Sequence, residues 1–245
     1  MTRAVVWDVE SYERGRVDYP PAAIDLLVSR MEVGARATVL DLGAGNGRLT
    51  RALTERFERV VAVEPHAEMR AALEASAPGA RALAGTAEAI PLASESVDAV
   101  FAGSAFHWFD PAQALPEIAR VLRPRGPLGM VWSRWARDTS DWAMQVDRVL
   151  SRYGDNPAAG WKDAFTTTDL FGPLEGALIQ ADQDQDREGM LARVASISFI
   201  AALPEPERRA VLDEVAQILE AHRIADDTGS VPMPHRIELS WTRKI

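Results

Sequence analysis

The chain has 245 residues, 47% of them hydrophobic and 26% charged, which is typical of a soluble globular protein long enough to bury a full core. Its formal charge of −9 argues against a nucleic-acid-binding surface, which needs a clustered basic footprint. The absence of cysteine excludes disulfides, cysteine nucleophiles and thiolate metal sites.

The N-terminal residues lack the long apolar segment of a secretory signal. The longest apolar stretch further along the chain is too short and too polar to span a bilayer. We therefore expect a cytoplasmic protein that binds neither membranes nor nucleic acid, present as a monomer or a homodimer.

The first half of the chain alternates strand patterns with helical ones. The strand patterns are TVLDL (38–42), RVVAVEP (59–65), SVDAVFAG (96–103) and GPLGMVW (126–132). Segments such as LTRALTERF between them have apolar residues at the helical period. This alternation predicts an α/β fold, a Rossmann-like doubly wound sheet that is mostly parallel. Ligands bind such sheets beyond the carboxyl ends of the strands.

The second half has a different pattern. A helix carries Trp142, Val146 and Val149 on one face, and a weak strand signal follows near LEGALIQAD (174–182). Two more helices follow it. The alternating segment PHRIELSWTRK (234–244) then predicts an antiparallel C-terminal strand that returns to the sheet.

The loop after the first strand is the most informative motif. It reads GAGNG (43–47), and Arg48 stands where a dinucleotide fingerprint has its third glycine. Asp41, just before the loop, suits a cationic amine better than a diphosphate. Glu64, at the end of the second strand, is placed to accept both hydroxyls of a ribose. The motif therefore predicts a ligand with a ribose, a positive amine and no phosphates.

S-adenosylmethionine fits this description, and the sequence resembles the class I S-adenosylmethionine-dependent methyltransferases, within them the small-molecule, type 11-like branch. Val17 departs from the proline usual in the first of the resembling segments. Those segments are YERGRVDYPP (12–21), DLGAGNGRL (41–49), VVAVEP (60–65), GTAEAIPLASESVDAVF (85–101), SAFHWFD (104–110), EIARVLRPRGPLGMVW (117–132) and RVASISFIAALPEPER (193–208). The resemblance covers essentially the whole chain. It implies S-adenosyl-L-methionine as cofactor and S-adenosyl-L-homocysteine as product, with methyl transfer to an oxygen, nitrogen or carbon atom of a small molecule.

The resemblance also implies which residues bind the cofactor. Arg16 is a candidate partner for the cofactor's carboxylate, and Ala87 with Glu88 would border the adenine. No pair of histidines has metal-ligand spacing beside a carboxylate, so we predict no metal. The full set of candidate cofactor-binding residues is Tyr12, Arg16, Asp41, Gly43, Ala44, Gly45, Glu64, Pro65, Ala87, Glu88 and Ser104.

His107 is the candidate general base, and a positioned base contributes about 10²–10⁴-fold when the acceptor must lose a proton. Alternatively, His107 and Trp108 only line the pocket, because a carboxylate acceptor needs no base. Trp132, Arg134 and Trp135 are further candidate substrate residues, with the arginine able to hold a substrate carboxylate. For the tryptophans, ordinary packing of a helical cap is the alternative.

We predict one methyltransferase domain in four segments: an N-terminal cap (1–30), a cofactor-binding core (31–132), a variable substrate cap (133–230) and a returning strand (231–245). Two other functions stay open. One is a protein of the same fold that binds the cofactor without transferring methyl groups. The other is a nucleotide-dependent oxidoreductase, which the position of Arg48 disfavours.

Overall fold

The computed structural model describes residues 13–154, 160–224 and 229–245. Its strands are β1 (Thr38–Leu42), β2 (Arg59–Val63), β3 (Ala80–Leu83), β4 (Ala99–Gly103), β5 (Pro127–Trp135), β6 (Glu175–Gln185) and β7 (Val231–Arg243). Its α-helices are α1 (Pro21–Met31), α2 (Arg48–Thr54), α3 (Ala67–Ser76), α4 (Pro111–Val121), α5 (Asp141–Leu150), α6 (Ala164–Thr167), α7 (Arg187–Ala195), α8 (Ser198–Ala201) and α9 (Glu205–Ala221). Short 3₁₀ turns cover Phe106–Trp108 and Trp161–Asp163.

The strands form one seven-stranded sheet in the order β3-β2-β1-β4-β5-β7-β6. Strands β1 to β5 pair in parallel, with Val39 opposite both Val60 and Ala99. The order reverses between β1 and β4, and this switch point is where ligands bind in open α/β sheets. The mostly parallel sheet with antiparallel C-terminal strands confirms the predicted fold class.

Strand β4 is apolar along its whole length because helices cover both faces of a parallel sheet. Residues 99–102 of β4 are fully buried. Helix α4, one of the helices that cover the sheet, has clear sequence signals for its start and its buried face. Asp110 caps it by accepting the Ala112 backbone N–H, and Pro111 occupies the first turn. Its apolar face is then buried against the sheet core, with Ala114, Leu115, Ile118, Ala119 and Val121 on that face.

The chain divides into two compact units. One unit, called the sheet unit, comprises residues 18–133, 157–179 and 237–245. The other, called the helical unit, comprises residues 1–17, 134–156 and 180–236. The core of the sheet unit includes Leu40, Phe106, Ile118, Trp132 and Trp161. The core of the helical unit is formed by α5, α7, α8 and α9 and includes Trp142, Val146, Met190, Val211 and Met233. The four segment boundaries expected from the sequence stay a prediction.

Two strands differ from expectation for physical reasons. Strand β3 lies outside the predicted runs because its four residues are half-exposed and carry no apolar pattern, yet it pairs with β2 from Val60↔Ala80 to Val63↔Leu83. Strand β6 continues past the predicted segment through polar residues up to Gln185, as an edge strand can. Over the described ranges, none of the helices is both long and apolar enough to cross a membrane.

Candidate functional site

The loop between β1 and α2 contains three glycines with left-handed backbone. A Cβ on Gly43 would lie 2.8 Å from the Ala105 Cβ, and one on Gly47 would lie 2.8 Å from the Ser76 Oγ. These two glycines therefore allow close packing of neighbouring segments. A Cβ on Gly45 would meet nothing within 4 Å. Gly45 is thus the point where the loop backbone borders open space, as close approach by a ligand requires.

Strand β2 fixes the shape of this loop. The backbone N–H groups of Gly43 and Ala44 both donate to the carbonyl oxygen of Val63, at 2.9 and 3.1 Å. The N–H of Gly45 donates to Oε2 of Glu64 at 2.9 Å. The acidic end of β2 therefore holds the glycine loop directly, a role that the sequence pattern alone did not assign to Glu64.

The Glu64 carboxylate is buried and has one more partner, His66. Oε1 of Glu64 accepts the backbone N–H of His66 at 2.9 Å and lies 3.0 Å from its Nδ1. A carboxylate has about four lone-pair positions, so these contacts leave capacity for a ligand hydroxyl. His66 lies directly before α3, and its contact with Glu64 was not predicted. A histidine two residues after the acidic strand end is the signal that points to it.

Asp41 on β1 has no exposed surface. Its Oδ2 accepts the Thr50 hydroxyl at 2.6 Å, whereas its Oδ1 has no hydrogen-bond partner among the described residues. Burial, together with the nearby Glu64 charge, raises the pKa of Asp41 to about 7. A buried acceptor without a donor calls for an explanation, and a bound cationic amine supplies one. The Thr50 contact was not predicted.

Ser104 follows the carboxyl end of β4 with a left-handed backbone, φ +51°. Its N–H donates to the Val131 carbonyl at 2.8 Å, and its Oγ lies 3.1 Å from the Tyr19 hydroxyl. Backbone strain of this kind costs roughly 1–3 kcal/mol and clusters at functional sites. Tyr19 was missed, although it lies in the same N-terminal motif as Tyr12 and Arg16.

The 3₁₀ turn after β4 carries His107. Phe106 is fully buried and anchors the turn, His107 is half-buried, and Trp108 is 46% exposed. The rings of His107 and Trp108 are 4.9 Å apart, centroid to centroid. The turn therefore presents an imidazole and an indole side by side near the switch point of the sheet.

A hydrogen bond joins residues 87–88, which are expected to border the adenine, to the segment after this turn. Ala87 is buried, and the Glu88 carboxylate accepts the Asp110 backbone N–H at 2.9 Å. Pro65 is exposed, and its carbonyl accepts a hydrogen bond from Arg70 at 3.2 Å. These residues thus lie near the ends of β2 and β4, in the sheet unit.

The candidate substrate residues Trp132 and Trp135 each contact a different second tryptophan. In the sheet unit, Trp132 stacks on Trp161 with ring centroids 4.3 Å apart. In the helical unit, Trp135 lies 5.4 Å from Trp142. Arg134 is half-buried and also belongs to the helical unit.

The sheet unit thus contains most of the candidate cofactor residues, from Asp41 to Ser104, together with His107 and Trp108. Arg16 belongs to the helical unit, and Tyr12 lies outside the described residues. No group of three or more metal-ligating side chains occurs in the part of the chain that the structure describes, and the expectation of no metal stays a prediction.

Comparison with known proteins identifies the family. Residues 40–130 match the family model described as "Methyltransferase domain". An uncharacterized methyltransferase of Mycobacterium tuberculosis strain H37Rv is 41% identical over 228 residues, covering 93% of this chain and 90% of that protein. A trans-aconitate 2-methyltransferase of Azoarcus is 37% identical over 131 residues, covering 52% of this chain and 51% of that protein.

A solved structure gives the same result for the fold. It is a type II methyltransferase candidate from Anaeromyxobacter dehalogenans, with a TM-score of 0.69 and 25% identity, covering 94% of this chain and 97% of that one. The relatives, the sheet order and the glycine loop between two buried carboxylates all indicate the same family. The chain therefore belongs to the class I S-adenosylmethionine-dependent methyltransferase family.

Proposed function

We propose that this protein transfers a methyl group from S-adenosylmethionine to a small-molecule acceptor. The observation that carries the proposal is the pair of buried carboxylates, Asp41 and Glu64, on either side of a glycine loop that borders open space at Gly45. The family generally uses this cofactor, and the chemistry of the two carboxylates fits it.

Each carboxylate matches one part of the cofactor. Asp41 has a buried oxygen without a described donor, which suits the cofactor's ammonium group. Glu64 retains acceptor capacity for a ribose hydroxyl after its contacts with Gly45 and His66. The charge of Glu64, together with that of Asp41 when it is ionised, would repel a diphosphate, which argues against a nucleotide as the ligand.

Bound at this site, the cofactor supplies a methyl group on a positively charged sulfur, which is already an activated leaving group. The protein therefore has to align the acceptor atom with the methyl carbon and to exclude water. Such alignment lowers the activation barrier by about 7–11 kcal/mol. His107 would take a proton only from an acceptor that must lose one, and otherwise it lines the site with Trp108.

Binding of S-adenosylhomocysteine to a Glu64→Gln variant tests the assignment. Gln keeps the shape of the side chain but removes its charge, so affinity should fall about 10- to 100-fold by calorimetry. Glu68→Gln, a change at an exposed position on α3, is the matched control and should leave affinity unchanged. Equal affinity of the Glu64 variant and the wild type would show that Glu64 does not bind the ribose.

Methyl transfer itself is tested by mass spectrometry of candidate acceptors incubated with S-adenosylmethionine and the protein. The relative named trans-aconitate 2-methyltransferase makes carboxylate-bearing acceptors the first to screen. Cofactor binding without transfer to any acceptor would favour a binding protein of the same fold. The cytoplasmic location and the monomeric or dimeric state stay predictions.

A further inference from the structure

The carboxylate of Glu64 accepts three hydrogen bonds from the protein itself. Its Oε2 accepts the backbone N–H of Gly45 at 2.9 Å. Its Oε1 accepts the backbone N–H of His66 at 2.9 Å and lies 3.0 Å from Nδ1 of the same residue. A carboxylate can only accept, so the Nδ1 contact is a hydrogen bond in which we assign the proton to the ring nitrogen.

These three bonds are distributed unevenly over the two carboxylate oxygens. A carboxylate has about four lone-pair positions, two on each oxygen. His66 fills both positions on Oε1, whereas Oε2 has a single partner among the described residues, Gly45. The position left for a ligand therefore lies on Oε2. It is also next to Gly45, where a Cβ would meet nothing within 4 Å.

Helix α3 fixes the place of His66. His66 directly precedes this helix, with φ −80° and ψ 123°. In the first turn of α3, Nη1 of Arg70 donates to the carbonyls of Glu64 and Pro65, at 2.8 and 3.2 Å. These bonds hold the backbone between the end of β2 and the start of α3. The side chain of His66 is 57% exposed and that of Glu64 only 7%. The imidazole thus lies on the solvent side of the buried carboxylate.

A ribose has two neighbouring hydroxyls, and the sequence motif predicts that Glu64 accepts both. One hydroxyl can donate to the open position on Oε2. The other would have to displace the His66 ring from Oε1. Such a displacement exchanges one hydrogen bond to the carboxylate for another, so its net gain in free energy is small. The second hydroxyl should therefore add little to affinity.

We propose that His66 determines how the ribose is recognised, because its ring restricts Glu64 to one of the two ribose hydroxyls. His66 acts through the carboxylate, so it is a positioning residue. This inference rests on the proposed function, since S-adenosylmethionine is the ligand that brings the ribose. His66 is not among the cofactor-binding residues that the sequence predicts.

The test measures binding of 5′-methylthioadenosine and of its 2′-deoxy and 3′-deoxy analogues by calorimetry. With the wild-type protein, one deoxy analogue should bind about 10- to 100-fold more weakly than the parent compound, because it lacks the hydroxyl that the charged group accepts. The other analogue should bind within about threefold of the parent. The analogue that loses affinity identifies the hydroxyl that donates to Oε2.

Two variants of His66 separate a positioning role from a merely structural one. His66→Ala opens the second position on Oε1, so both deoxy analogues should then bind at least about fivefold more weakly than the parent compound. His66→Asn retains a side-chain N–H donor and should restore the wild-type pattern. Because the side chain is exposed, the melting temperature of each variant should stay within about 2 °C of the wild-type value.

Ser76→Ala, at the other end of α3, is the control. The Ser76 hydroxyl donates to the Asn46 carbonyl in the glycine loop at 2.8 Å, so it supports the loop without contacting Glu64. Its loss should change the affinity of all three ligands by the same factor. The ratios between the parent compound and its analogues should keep their wild-type values.

The proposal is overturned if the wild-type protein does not distinguish the two deoxy analogues from each other. It is also overturned if His66→Ala keeps the wild-type preference for one hydroxyl. Failure of the proposed function is a different result. In that case the wild-type protein binds neither S-adenosylhomocysteine nor 5′-methylthioadenosine.

Discussion

The sheet unit and the helical unit both bury polar side chains, but they assemble them from different stretches of the chain. In the sheet unit, Asp41, Gly45 and Glu64 lie within 24 consecutive residues, at the ends of two paired strands. In the helical unit, Arg16 and Ser196 are 180 positions apart. A compact motif can be recognised in one sequence, whereas a cluster of distant residues cannot. The glycine loop and its flanking acids were therefore predictable, and the contact between Arg16 and Ser196 was not.

The largest expected effect tests whether the helical unit depends on the contact at Gly15. Gly15→Ala places a Cβ against backbone rather than against a flexible side chain, so we expect a loss of at least about 3 kcal/mol of unfolding free energy. For a chain of this length the melting temperature should fall by roughly 6–12 °C.

Gly34→Ala is the matched control for this prediction, because a Cβ there meets nothing within 4 Å. Its melting temperature should stay within about 1–2 °C of the wild-type value. If Gly15→Ala proved as stable as Gly34→Ala, Gly15 would not lie against the α7 backbone at Ala192 and Arg193.

Asp41 gives the next effect, in the sheet unit. Its folded-state pKa, about 7, lies above the usual value of an aspartate, so the native protein binds more protons than the unfolded chain between about pH 4 and 7. The ligand-free protein should therefore lose roughly 2–4 kcal/mol of stability from this group as pH rises through that window.

An Asp41→Asn variant should lack this loss. The melting temperature of the variant minus that of the wild type should therefore rise from pH 4 to pH 7. The cofactor's ammonium group requires an ionised Asp41. Affinity of the wild type for S-adenosylhomocysteine should thus rise about fivefold between pH 6 and 7, and that of the variant should not. Parallel curves for the two proteins would mean that Asp41 is already ionised in the ligand-free state.

The smallest effect concerns His107. A carboxylate acceptor is already ionised at pH 7 and needs no general base, so with such an acceptor His107→Asn should retain kcat within about threefold. A loss of 10²-fold or more with unchanged affinity for S-adenosylhomocysteine would show that His107 transfers a proton. It would also point to an acceptor atom other than a carboxylate oxygen.

The fold and part of the site follow from local rules. The apolar runs predicted β1, β2, β4 and β5, and the alternation of strands with helices predicted the layering of the sheet. Strand β3 was missed because an edge strand with half-exposed residues has no apolar pattern. The glycine loop and its flanking acids were found because the spacing of this backbone motif is fixed by the ligand it approaches.

The contacts that position the site were harder to predict. Thr50 lies on α2, and only the helical turn directs its hydroxyl to Asp41. Tyr19 reaches Ser104 across 85 positions. Long-range packing, rather than residue type, determines these parts of the site.

The measurement that tests the central claim most directly is a thermal-shift comparison of S-adenosylhomocysteine, S-adenosylmethionine, NADH and ATP. A ligand at 100 times its dissociation constant adds about 2.7 kcal/mol, which for a chain of this length is roughly 5–10 °C. We expect that shift with the first two ligands and none with NADH or ATP. A shift with NADH alone would contradict the assignment of Asp41, Gly45 and Glu64 to the methyl donor.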